Sequence, residues 1–240
     1  MVTPAAPART TGTRAQRDAQ RRRVYLAETP LPSSPLPGLD ACARFVDRVV
    51  GTLWWEVRFP DHHLGVVPRL RPGNGARQAF YRDEPGGPTI TLPRRYRTKG
   101  VVLHELVHWA LGLDCGLPAH GRTFARVLLD ATTEYCGAER AAELAESYRA
   151  QRVHVGKPAR SGPDGRLRYG WDERLRLGRG RTIVVCHTAD GEPASVTGRF
   201  EGFERGASVI PLHAIDGTVV RLRSATVYEV TYAREEPVHG

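Results

Sequence analysis

The stretch Lys99-Gly100-Val101-Val102-Leu103-His104-Glu105-Leu106-Val107-His108-Trp109-Ala110-Leu111, closed by Gly112, decides how the rest of the chain is read. It is apolar enough to be a buried helix, and the glycine after it is a helix stop. On a helix four residues turn through about 400°, so His104 and His108 stand about 40° apart on one face. Two imidazoles so placed can bind one ion at about 2.0–2.1 Å per nitrogen. Glu105 then lies beside the ion and not on it, where it can take a proton from a water and pass it to a leaving amine. Buried without partners, this polar triplet would be costly, which favours a metal site over a chance match.

Catalytic zinc takes three protein ligands and keeps one position open. Three residues downstream are candidates for the third. His120 comes first, twelve residues after His108 in Pro118-Ala119-His120-Gly121, because a neutral imidazole suits zinc and Gly112 and Gly116 allow the chain to turn. Asp114 is six residues after His108, where an HExxHxxGxxH pattern has its ligand, but that pattern needs glycine at 111 and the chain has Leu111. Glu134, 26 residues on, is the remaining alternative. One Zn²⁺ per chain is the expected cofactor.

Working outward, helices are expected over Asp40–Gly51, Gly121–Glu134 and Ala138–Arg152, each with an apolar stripe at helical spacing. Between the first two lie strand-like segments over 53–59, 64–70, 76–81 and 89–92. Thr89-Ile90-Thr91-Leu92 alternates in polarity and has proline at both ends, which predicts an edge strand. Such a strand could pair with an extended peptide, so these four are the candidate substrate-binding residues. Residues 1–17 read as a disordered basic tail and 18–29 as a helical turn or an extended arm. Residues 154–180, rich in Gly, Pro and Arg, read as a linker. Beyond them the period changes to two, and five short strands over 181–234 predict a small SH3-like or OB-like barrel, with Asp190-Gly191 and Asp216-Gly217 as hairpin turns. The class is α+β, with the metal motif in a domain over 18–153.

Composition narrows the function. The 240 residues are 40% hydrophobic and 25% charged, a globular balance, and no apolar run approaches the roughly 20 residues of a membrane helix. The polar N-terminus has no secretory h-region, so the cytoplasm is the expected compartment. The four cysteines have no CxxC spacing, which excludes a zinc ribbon, and buried thiols are expected. The net charge is +9, and residues 1–23 carry six arginines against one aspartate. That excess, with Tyr169 and Trp171 set among arginines, would suit non-specific nucleic acid through the tail and barrel. A nucleic-acid-associated module with a structural or degenerate metal site is therefore the second function class. His62-His63 reads as a solvated loop, Trp54-Trp55 as core packing, and Tyr135 as structural, with polarisation of a substrate carbonyl as its alternative.

The motif His104-Glu105-Leu106-Val107-His108, followed by His120-Gly121 and Phe124, resembles zincin metallopeptidases of the SprT-like type, whose third ligand is the histidine of an HG pair. With the opening Arg17-Asp18-Ala19-Gln20-Arg21-Arg22-Arg23-Val24-Tyr25-Leu26-Ala27-Glu28 and the segment Thr89 to Pro93, it is more closely similar to a metallohydrolase family of Actinobacteria and their phages. The resemblance covers about residues 17–150. It implies a zincin-like domain of mixed sheet, HExxH helix and ligand helix, with zinc on His104, His108 and His120, Glu105 as base, and a peptide or protein substrate. The chain lacks the CxxC…CxxC ribbon of SprT-like proteases.

Overall fold

The computed structural model describes residues 14–29, 33–60, 66–112, 116–204, 206 and 208–233. The first half opens with helices α1 (Arg14–Glu28), α2 (Leu39–Val50) and α3 (Leu53–Glu56). Strands β1 (Arg69–Pro72), β2 (Phe80–Glu84) and β3 (Gly87–Leu92) then form a sheet in the order β1-β3-β2. Strand β3 runs parallel to β1 and antiparallel to β2. Helices α4 (Lys99–Leu111), α5 (Arg122–Cys136) and α6 (Ala138–Ala150) complete this half. Thr98 caps α4 by accepting from the Val101 N–H, and Gly112 ends it at a positive φ of 69°. Eight residues of α4 are buried, among them His104 and Glu105, so the helix runs through the core instead of lying on it.

The second half is built on β6 (Arg181–Ala189), β7 (Glu192–Phe200), β8 (Val209–His213), β9 (Val219–Arg223) and β10 (Val227–Tyr232). They form an antiparallel sheet in the order β10-β6-β7-β8-β9. Asp190 and Gly191 both take positive φ, 50° and 89°, as a two-residue hairpin requires. Ahead of the sheet come the small hairpin β4 (Arg160–Ser161) and β5 (Leu167–Arg168), then helix α7 (Trp171–Leu177). Two hydrophobic cores divide the chain between Tyr169, which packs in the first, and Trp171, which packs in the second. Among the described residues no helix is long and apolar enough to cross a membrane.

Several expectations change. Residues 14–17, expected in the disordered tail, begin α1, which is held in place by Val24 and Ala27, both fully buried. Residues 1–13 lie outside the described part. The strand expected over 53–59 opens as a helical turn, because Thr52 caps the Trp55 N–H. Trp55 is core, stacked on Trp109. The segment Thr89-Ile90-Thr91-Leu92 is not an edge. It is the central strand, paired on both sides, so its backbone is unavailable to a peptide. Pro88 is tolerated because pairing with β1 begins only at Thr89. Residues 154–180 are packed structure: the Leu167 N–H donates to Val57, and Gly156 exchanges hydrogen bonds with α5. Tyr169 and Trp171 are buried, one bonded to Asp130 and the other beneath Arg160, so neither offers a stacking face to nucleic acid.

Candidate metal centre

Helix α4 presents His104 and His108 one turn apart, and the turn before α5 brings His120 to them. The three Nε2 atoms form a nearly equilateral triangle: 3.2 Å from His104 to His108, 3.2 Å from His108 to His120, and 3.3 Å from His120 to His104. An ion about 2.0–2.1 Å from each of its tetrahedral ligand nitrogens would separate them by about 3.3–3.4 Å. Hydrogen bonding among the rings is a poor account of the triangle. Glu28 engages His104 Nδ1, so whenever the ring is neutral its one proton lies there and Nε2 offers a lone pair to the other two. Among the described residues these three histidines are the group able to hold a metal ion.

Glu28, at the end of α1, accepts from His104 Nδ1 at 2.7 Å and from the Tyr148 hydroxyl of α6 at 3.2 Å. Burial opposes the charging of His104, yet the charge and hydrogen bond of Glu28 outweigh it and raise its pKa. The same carboxylate fixes the tautomer that leaves Nε2 free and makes it the more basic donor. Burial, with the charges of His104 and Arg21, holds His108 well below the usual range and pushes His120 down to about 3. Both rings are therefore neutral at pH 7, with lone pairs free for a metal.

The Phe124 ring of α5 packs 4.5–4.9 Å from the centroids of all three imidazoles and is fully buried. Tyr25 of α1 lies over His104 and His120 at 5.5 and 5.0 Å. Glu105 is 4% exposed, stands outside the ligand group and shares the wall of a cleft with His104. Burial raises its pKa, against the charge of His104 and the hydrogen bond donated by the Tyr81 backbone N–H on β2. A cleft of about 730 Å³ opens on His104 and Glu105, with Tyr25, Gln78, Ala79, Tyr96, Lys99 and Tyr135 in its walls.

The structure thus joins His104, His108 and His120, with Glu105 adjacent. Glu134 is exposed toward the far end of α5 and outside the cluster. Asp114, His62 and His63 lie outside the described residues. The Tyr135 hydroxyl is tied to Thr52 and to the Val49 carbonyl, a structural engagement. Reasoning from the motif alone did not single out Glu28, Tyr148 or Tyr25. Tyr25 and Glu28 do stand in the opening stretch that carries the family resemblance, which is the signal that could have found them. Compared with protein-family models, with curated proteins and with solved structures, the chain matches none.

Proposed function

We propose that the protein is a zinc-dependent hydrolase of the zincin type, with a peptide bond as its substrate. The observation that carries this reading is the triangle of three neutral-type imidazole nitrogens at tetrahedral spacing, with a buried carboxylate beside it. An all-nitrogen donor set suits zinc and disfavours magnesium and calcium, which take oxygen ligands. A zinc ion held there supplies Lewis acidity toward a carbonyl oxygen and a water of pKa about 7.

The chain's own residues do the rest. Glu105 receives the proton of the attacking water and delivers it to the leaving amine; its raised pKa suits both transfers. Strand β2 ends the sheet order, and Gln78 and Ala79 just before it line the cleft. The role once expected of Thr89–Leu92, pairing with an extended substrate, therefore passes to the edge at 78–82. The second-half sheet, four sequential strands with the fifth returning beside the first, supports the SH3-like rather than the OB-like reading.

Metal analysis of the purified protein and a peptide-library cleavage screen test the proposal together. Close to one zinc per chain is expected, with cleavage that disappears on chelation and returns with zinc. A protein that holds no zinc, or cleaves equally well with its zinc removed, would sink the reading.

A further inference from the structure

Helix α5 has a defect at its start. Its N-cap residue is Gly121, which has no side chain with which to cap the helix. The uncapped N–H groups of Arg122 and Thr123 are satisfied from fifty residues away. Glu173 Oε1 accepts from Arg122 at 3.0 Å and Oε2 accepts from Thr123 at 2.8 Å. Glu173 is 5% exposed. A carboxylate there meets the positive end of the helix and forms two charge-assisted hydrogen bonds.

The glycine is a condition of this contact. A Cβ at residue 121 would stand 2.4 Å from Glu173 Oε1. The backbone of Gly121 has φ −73° and ψ −168°, which any residue adopts, so its need for glycine is steric and not conformational. The residue before it is His120. The short turn from Pro118, closed by the Gly121 N–H on the Pro118 carbonyl, carries the third imidazole into the triangle. Whatever fixes residues 121–123 therefore fixes where His120 starts.

Glu173 belongs to α7, whose neighbouring residues Trp171 and Leu175 are part of the second hydrophobic core. One face of a two-turn helix thus helps to build the second-half core, while the other holds the start of the ligand helix. We propose that Glu173 is a positioning residue for the ligand His120, which makes the second half of the chain a working part of the metal centre. This rests on the metal reading above.

The test measures zinc affinity by competition with a chelator, on the full chain and well below each variant's unfolding temperature. Five proteins are compared: the parent, Glu173→Ala, Gly121→Ala, the double variant of these two, and Ile210→Ala. Ile210, on β8, is fully buried in the second core and is no partner in the cap's hydrogen bonds, so its loss weakens the fold while leaving all three cap residues in place. Glu173→Ala and Gly121→Ala should each weaken zinc binding by about 10-fold or more, the usual scale for losing a residue that orients a ligand. A Cβ at 121 would also stand 3.0 Å from the Pro118 carbonyl oxygen, so the double variant should lose less than the two single losses combined but need not match either, the shared part being the Glu173 contact. Ile210→Ala should bind within about 3-fold of the parent while melting earlier. Parent-like affinity in Glu173→Ala would overturn the proposal and leave the metal reading standing. Equal weakening in Ile210→Ala would also overturn it, since the effect would then follow stability alone. A parent that binds no zinc would overturn both.

Discussion

Glu28 offers the sharpest single perturbation of the centre. Its two oxygens serve two buried donors, His104 Nδ1 at 2.7 Å and the Tyr148 hydroxyl at 3.2 Å. Glu28→Gln keeps the shape but replaces one acceptor by a donor, and the amide can settle in two ways. With its nitrogen toward His104, it forces the ring proton onto Nε2 and blocks the atom that must bind metal. With its oxygen toward His104, the tautomer survives, but the Tyr148 hydroxyl, 1% exposed, loses its acceptor at a cost of about 1–3 kcal/mol. Either arrangement is unfavourable, and the lost carboxylate charge also makes the ring less basic. Zinc affinity should fall by about 10–100-fold, or about 1.4–2.7 kcal/mol. Titration against a chromogenic chelator reads this directly. Tyr148→Phe alone should leave affinity within about 3-fold, since it removes only the competing donor. Added to Glu28→Gln, it should restore part of the loss by freeing the amide oxygen for His104. If the double variant binds more weakly than Glu28→Gln, the tautomer argument is refuted.

Other outcomes can be checked alongside. Glu105→Gln should keep its zinc, since no ligand is lost, while hydrolysis falls by about 10²–10⁴-fold; a variant as fast as the parent would remove Glu105 from the mechanism. A chain ending at residue 153 should lose cooperative unfolding, because it discards the Glu173 cap, the Leu167 bond to Val57 and the Phe59–Tyr169 stack; calorimetry would show this, and an intact sharp transition would contradict it. In metal-free protein, His108 and His120 are depressed below the unfolded value of about 6.5, so the unfolded chain binds more protons below that pH. The stability these two contribute is present above pH about 6.5 and lost as pH falls toward 3. Denaturant titrations between pH 4 and 8 should show it.

What could be read from the sequence was local. Helix α4 runs from Lys99 to Leu111 as its apolar pattern predicts, and His104, Glu105 and His108 follow from a four-residue period. His120 was legible because it lies one short loop away. The partners that shape these residues were not, because they arrive from distant elements: Glu28 from 76 positions before His104, Tyr148 from 120 after Glu28, and Glu173 from 50 after Thr123. Helix α1 hid for a related reason. It buries Val24 and Ala27 and is otherwise strongly polar, so its pattern resembles a solvated arm. Strand β3 was misplaced because flanking prolines usually mark an edge, whereas here the neighbouring strand simply starts one residue later. Trp54-Trp55 looked like strand by propensity, and the cap from Thr52 overrode it.

Phe124 carries a consequence for chirality. Its ring touches all three imidazoles and is sealed from solvent, so hydrocarbon backs the triangle on that side. A planar carbonyl would then come to the centre from the cleft side alone, which fixes its face once the direction of the chain is set. In the hydrolase proposed above, the direction of β2 would also set which way an extended chain runs past that point. Face and direction together specify handedness. The centre should therefore discriminate between mirror-image peptides through its geometry alone, before any side chain of the substrate is read.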